Sequence, residues 1–95
     1  KRQPIDCATL RGPAYIGAGA KIARGAAIEP YAVIYDDVSV ANGARIDSSI
    51  LWPGCVIGAD AVVRGAILGL DVLVDAGATV PAGSVIGKGE RLAHV

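Results

Sequence analysis

A general base, a metal site and a phosphate loop each need particular side chains at particular spacings, and this chain of 95 residues is thinly supplied for all three. Its one histidine, His94, stands next to the last residue. A base must be held within hydrogen-bond reach of the proton it takes, so a tail position reads as solvated. Cys7 and Cys55 lie 48 residues apart in no paired motif. They are expected as buried, reduced thiols packing as small hydrophobes, not as a disulfide or a thiolate metal site. Gly17-Ala18-Gly19-Ala20-Lys21 has the outline of a phosphate loop. That pattern, however, requires four residues between its glycines and a Ser or Thr after the Lys. Asp36, Asp37, Asp60 and Asp71 are the candidate oxygen ligands, but a cation needs several of them on one spot. The expectation is no catalytic residue, no cofactor-binding residue and no metal ligand.

The elements that position these groups come from a repeat. Leu10, Ile16, Ile22, Ile28, Ile34, Val40 and Ile46 recur at intervals of six, and the series resumes as Leu51, Ile57, Val63 and then Leu68, Val74, Val80, Ile86, Leu92. Two steps, 46 to 51 and 63 to 68, are five residues long. Three places after a mark stands a glycine (Gly19, Gly25, Gly43, Gly54, Gly77, Gly83, Gly89) or an aspartate (Asp37, Asp60, Asp71), residue types that tolerate a left-handed corner. Four places after it the residue is usually small, as at Ala20, Ala26, Ala32, Ala44, Cys55, Ala61 and Ala78, with Val38 and Val72 as larger versions. A period of six fits neither the 3.6-residue helix face nor a simple alternating strand. It fits short strands joined by corners. Three sides close a coil of 17 to 18 residues, and parallel strands one coil apart stack about 4.8 Å from each other. The three interior columns are then Leu10, Ile28, Ile46, Val63, Val80; Ile16, Ile34, Leu51, Leu68, Ile86; and Ile22, Val40, Ile57, Val74, Leu92. The two short sides fall on the same face of adjacent coils, which keeps the columns in register. In this frame Asp37 and Asp71 alternate with Gly19, Gly54 and Gly89, so corner-turning accounts for the aspartates.

Residues 15–34 (YIGAGAKIARGAAIEPYAVI) and 50–69 (ILWPGCVIGADAVVRGAILG) resemble the hexapeptide-repeat, left-handed parallel β-helix. More narrowly they resemble the C-terminal domain of sugar-nucleotide pyrophosphorylases of the mannose-1-phosphate guanylyltransferase type. Gly12-Pro13-Ala14-Tyr15-Ile16-Gly17 is similar to the opening coil there, and Ser49-Ile50-Leu51-Trp52 to its middle. The resemblance implies an all-β solenoid of about five triangular coils. Its left hand comes from the resemblance alone, since ordinary parallel crossovers are right-handed. It also implies that nucleotidyl transfer, for GDP-mannose or another NDP-sugar, belongs to a separate N-terminal α/β domain, leaving this chain non-catalytic. The alternative is a fragment of a hexapeptide-repeat acyltransferase with an active site between subunits. That family uses a histidine base beside a protruding loop, whereas here only His94 is offered and the repeat leaves no room for such a loop. The carbonic anhydrases of this fold hold their metal with three histidines, which one histidine cannot supply. A stand-alone solenoid with no ligand is the third reading.

Charge and composition narrow the partners. Nine Lys and Arg balance nine Asp and Glu, which argues against nucleic acid or an anionic membrane as a partner. Apolar runs are only a few residues long, too short for a membrane span, and a cytoplasmic location is expected. The expected organisation is a lead-in or cap over 1–9, the β-helix over 10–92 and a tail over 93–95. The first residue opens no obvious element and is not Met, as in a piece of something longer. End coils expose unpaired strand edges, which favours a neighbouring domain or subunit. One large aromatic, Trp52, stands in a chain without Phe or Met. The residue after each interior aliphatic points outward, which makes Tyr35 and Trp52 neighbours in adjacent coils. Five places after the mark come Lys21, Ser39, Val56, Leu73 and Arg91. Tyr35, Trp52, Val56 and Leu73 are thus the expected interface, bordered by Lys21 and Arg91, for a homo-oligomer, for the N-terminal nucleotidyltransferase domain of a parent chain, or for both. Tyr15 and Tyr31 are expected to shield the first coils.

Overall fold

The structure, a computed structural model, describes residues 9, 10 and 14–93. Cys7, His94 and most of the expected end caps lie outside those residues. An aliphatic at every sixth position is buried every time only if the chain turns between one and the next, so the strands are very short. Among the described residues there are fifteen, β1 to β15 in chain order, each two or three residues long, and no helix. Every third strand joins the same parallel sheet. Sheet A stacks β1 (Thr9–Leu10), β4 (Ala27–Ile28), β7 (Arg45–Asp47), β10 (Val62–Arg64) and β13 (Thr79–Val80). Sheet B stacks β2 (Tyr15–Ile16), β5 (Val33–Ile34), β8 (Ile50–Leu51), β11 (Ile67–Leu68) and β14 (Val85–Ile86). Sheet C stacks β3 (Lys21–Ile22), β6 (Ser39–Val40), β9 (Val56–Ile57), β12 (Leu73–Val74) and β15 (Arg91–Leu92). Ile16 pairs with Ile34, Ile34 with Leu51, Leu51 with Leu68 and Leu68 with Ile86. The other two columns keep the same order, so the three files of marked residues are as the repeat requires. The result is a three-sided parallel β-solenoid of about five turns, 35 × 20 × 18 Å.

The files are the core. Ile28, Ile34, Ile46, Leu51, Ile57 and Leu68 are its largest fully buried side chains, and the small corner residues Ala26, Ala32, Ala44, Cys55 and Ala61 fill the space behind them. Ile16, Ile86 and Leu92 are only partly buried because their coils have a neighbour on one side. Positive φ marks the corners at Gly19, Gly25, Gly43, Gly54, Gly77, Gly83 and Gly89, and at Asp37, Asp60 and Asp71. Three more corners escape the simple rule. Tyr31, three places after Ile28, has φ 66° and is a corner residue as well as an exposed ring. In the two short sides the left-handed residue moves one place nearer the mark, to Ser48 (φ 50°) and Gly65 (φ 57°).

The short side from Val63 to Ile67 uses a substitute hydrogen bond. In several six-residue sides the amide of the corner residue bonds back within its own coil, as Cys55 N–H does to the Trp52 carbonyl and Ala61 N–H to the Gly58 carbonyl. Ala66, in a shortened side, bonds instead to the Ser49 hydroxyl of the coil before it at 3.1 Å, and that hydroxyl donates to the Asp47 carbonyl at 2.8 Å. Ser49 is the one buried polar side chain among the described residues. Ser49→Ala therefore strands a buried amide, and a loss of about 1–3 kcal/mol is expected in urea unfolding followed by circular dichroism. Ser49→Thr, which keeps the hydroxyl, is expected to lose less.

Candidate functional site

Side chains that flank an inward residue on a strand point out, so each flat face presents the residue before the mark, and the residue after it continues the face toward the corner. On sheet B the residues before the mark are Tyr15, Val33, Ile50, Ile67 and Val85, and those after it are Gly17, Tyr35, Trp52, Gly69 and Gly87. Tyr15, Tyr35 and Trp52 form a ladder up the first three coils. Ring centroids are 6.0 Å apart at each step, tilted by 60° and 54°. Such tilted pairs add about 0.5–1.5 kcal/mol beyond area burial. The ladder remains open to solvent, with Tyr15 52% and Trp52 46% exposed. Tyr35, Trp52, Pro53 and Leu70 line a shallow cavity of about 310 Å³ at the edge of this face.

The structure brings Tyr35 and Trp52 together and sets Val56 and Leu73 apart from them. Those two lie on β9 and β12, paired with each other on the outward side of sheet C. The corner residues turn the chain at the third and fourth places, so the fifth place already belongs to the next face. The four expected interface residues consequently straddle an edge of the prism. Sequence reasoning missed the sheet B column of Tyr15, Val33, Ile50, Ile67 and Val85. Its signal is the apolar pair ending each side, Tyr-Ile, Val-Ile, Ile-Leu, Ile-Leu and Val-Ile, in which the first member faces out.

Sheet C carries a broader, flatter trough of about 510 Å³, floored by Ala23, Ala41 and Gly58 and walled by Lys21, Ser39 and Val56. Charges sit on sheets A and C. Arg45 reaches Glu29 at 3.4 Å, Arg64 reaches Asp47 at 3.8 Å, and Arg91 makes a two-pronged pair with Asp75 at 3.0 Å. All three cations are largely exposed, and such pairs contribute little to stability.

The aspartates do structural work. Asp36 accepts the Ala18 amide at 2.9 Å, tying the second coil to the first. Asp37, Asp60 and Asp71 each lay a carboxylate in the space that a side chain on Gly19, Gly43 or Gly54 of the preceding coil would fill. Among the described residues no group of three or more His, Cys, Asp or Glu is placed to hold a metal. The glycines of the loop-like 17–21 stretch serve close coil stacking: a Cβ on Gly17 would stand 2.8 Å from the Asp36 nitrogen. Cys55 is a free, fully buried thiol 3.1 Å from the Gly69 carbonyl. Burial raises its pKa, with the Asp71 charge adding to the effect, against backbone hydrogen bonds from Val72 and Trp52. It is a core residue, not a nucleophile.

Comparison with known proteins follows the same lines. Residues 10–94 match the family model described as the GMPPB C-terminal domain. No curated protein matches the sequence. Among solved structures, the acetyltransferase domain of PglB from Neisseria gonorrhoeae FA1090 is similar at a TM-score of 0.65 and 25% identity, covering 93% of this chain and 52% of that one. The same domain in complex with acetyl coenzyme A gives equal values. This chain spans about half the length of those structures.

Proposed function

The chain belongs to the GMPPB C-terminal domain family, a left-handed β-helix of the sugar-nucleotidyltransferase type, and from that premise we propose that it is a non-catalytic assembly module. In a parent protein that makes an NDP-sugar, GDP-mannose by the family's name, it joins copies together or seats the catalytic domain, in the cytoplasm. The observation that carries this reading is the aromatic ladder on sheet B. Its rings are ordered against each other yet remain open to water. Aromatic anchors of this kind are enriched where proteins meet. Among the described residues no helix is long and apolar enough to cross a membrane.

Trp52→Ala is the direct test. Size-exclusion chromatography with light scattering is expected to show the wild-type chain as larger than a monomer and the variant shifted toward the monomer, with unchanged circular dichroism. The second reading, an acyltransferase fragment, draws on the likeness to the PglB acetyltransferase domain that was solved with acetyl coenzyme A. It requires this chain to bind acetyl coenzyme A. Titration calorimetry at high protein concentration is expected to give no heat, and a saturable isotherm would replace the assembly reading with the enzymatic one.

A further inference from the structure

Among the described residues, sheet B is the only face whose strands and the residues that follow them carry no charge, being Tyr, Val, Ile, Leu, Trp and Gly throughout, with Asp36 and Lys88 standing one place further on at its corner. Sheets A and C carry Arg45, Arg64, Lys21 and Arg91 in the same positions. A charge-free face meets a copy of itself with no like-charge repulsion, which otherwise costs dearly at interfaces. Bulk is distributed unevenly along it. Coil one contributes the ring of Tyr15, coil two that of Tyr35 and coil three that of Trp52, whereas coils four and five present no ring, only Ile67, Gly69, Val85 and Gly87, with Leu70 at the edge of the face.

That asymmetry selects an arrangement. If two copies packed with their axes parallel, each of the first three layers would hold two aromatic rings and the last two layers none, and the faces would splay at one end. Turned antiparallel about a two-fold axis along β8, coil one faces coil five, coil two faces coil four, and coil three faces itself. Every outer layer then holds one ring and the middle layer two, so the gap between faces stays nearly even. Resting on the assembly reading above, we propose that a second copy of this chain docks on sheet B in this antiparallel manner. Ile50 and Trp52 meet their own counterparts at the two-fold axis, and Tyr35 lies over the partner's Gly69. Five coils at about 4.8 Å and a side of about 18 Å give a projected face of roughly 430 Å². Two such faces together fall short of the roughly 1,200 Å² of a stable interface, so the dimer belongs to the weak, concentration-dependent class.

The test uses the full 95-residue chain in a Cys7→Ser background, with buried Cys55 retained and the parent as the uncrosslinked control. Ile50→Cys and Val85→Cys are treated separately with a short bis-maleimide. With faces about 10 Å apart, Ile50 positions lie about 10 Å from each other across the antiparallel axis. Val85 positions, displaced by four coils, lie about 22 Å apart. Covalent dimer is expected from Ile50→Cys and little from Val85→Cys. Equal dimer from both means parallel packing and overturns the proposal while leaving the assembly reading in place. No dimer from either, with the wild-type chain still larger than a monomer by light scattering, places self-association on another face and likewise overturns it. A wild-type monomer at every concentration overturns it too and leaves only the docking of a different domain. As a mutation-free check, Trp52 emission is expected to move to the red on dilution as the axis is exposed, and invariant emission counts against the arrangement.

Discussion

Leu51→Ala is expected to cost about 2–5 kcal/mol, the range for deleting a large buried aliphatic whose surroundings collapse only partly. Leu51 is fully buried at the middle of the solenoid, between Ile34 of the second coil and Leu68 of the fourth. Collapse is restrained there because the strands on both sides are pinned by inter-coil hydrogen bonds such as Trp52 N–H to the Leu68 carbonyl and Tyr35 N–H to the Leu51 carbonyl, each 3.0 Å. In a domain of this size one kcal/mol moves the melting temperature by about 4–8 °C, so a fall of roughly 8–40 °C is expected in thermal circular dichroism. Each coil of a solenoid touches only its neighbours. Leu92→Ala, in a half-buried residue of the last coil, is therefore expected to cost clearly less. Equal losses at the two sites would contradict a core built from independent layers.

The same columns explain what could be read in the residues themselves. Every described mark from Ile16 to Leu92 sits in its expected file because a narrow prism accepts one aliphatic per side, and that selection leaves a plain trace of period six. Corners made by Gly or Asp were legible for a similar reason, as few other residues take a positive φ cheaply. Tyr31 was not, because nothing in a tyrosine announces φ 66°. Ser49 was also opaque. Its hydroxyl matters only because a side lost one residue and left the Ala66 amide without its usual partner. The candidate site was half legible. Alternation along the strand placed Tyr35 beside Trp52, but where the face ends depends on the corner geometry, and so Val56 and Leu73 lie around the edge while the outward column through Ile50 went unnoticed.

Gly58→Ala separates two reasons for a glycine and bears on assembly as well. Gly58 follows β9 in the third coil, and its φ lies outside the left-handed region, so alanine meets no backbone strain there. In open space the change would stabilise slightly by restricting the unfolded chain. Space is what it lacks: a Cβ at this position stands 2.7 Å from Ala76 Cα and 2.8 Å from the Asp75 carbonyl carbon, both in the backbone of the fourth coil. Backbone held in a ladder does not swing aside as a flexible side chain does, so the third and fourth coils must part. A loss of about 1–3 kcal/mol or more is expected by denaturant unfolding, in line with overpacked cores. Gly83 is the converse case, with φ 85° and nothing within 4 Å of a built Cβ, and its replacement by alanine is expected to cost about 1–2 kcal/mol from conformation alone. Parting the third and fourth coils also moves Trp52 away from Gly69, on which the even layering of two sheet B faces depends. Gly58→Ala is thus expected to weaken self-association in light scattering although it lies on another face, whereas Gly83→Ala, at an open corner, leaves it intact. A Gly58→Ala chain as stable as wild type would mean that coil spacing is looser than the inter-coil hydrogen bonds of 2.7–3.3 Å indicate.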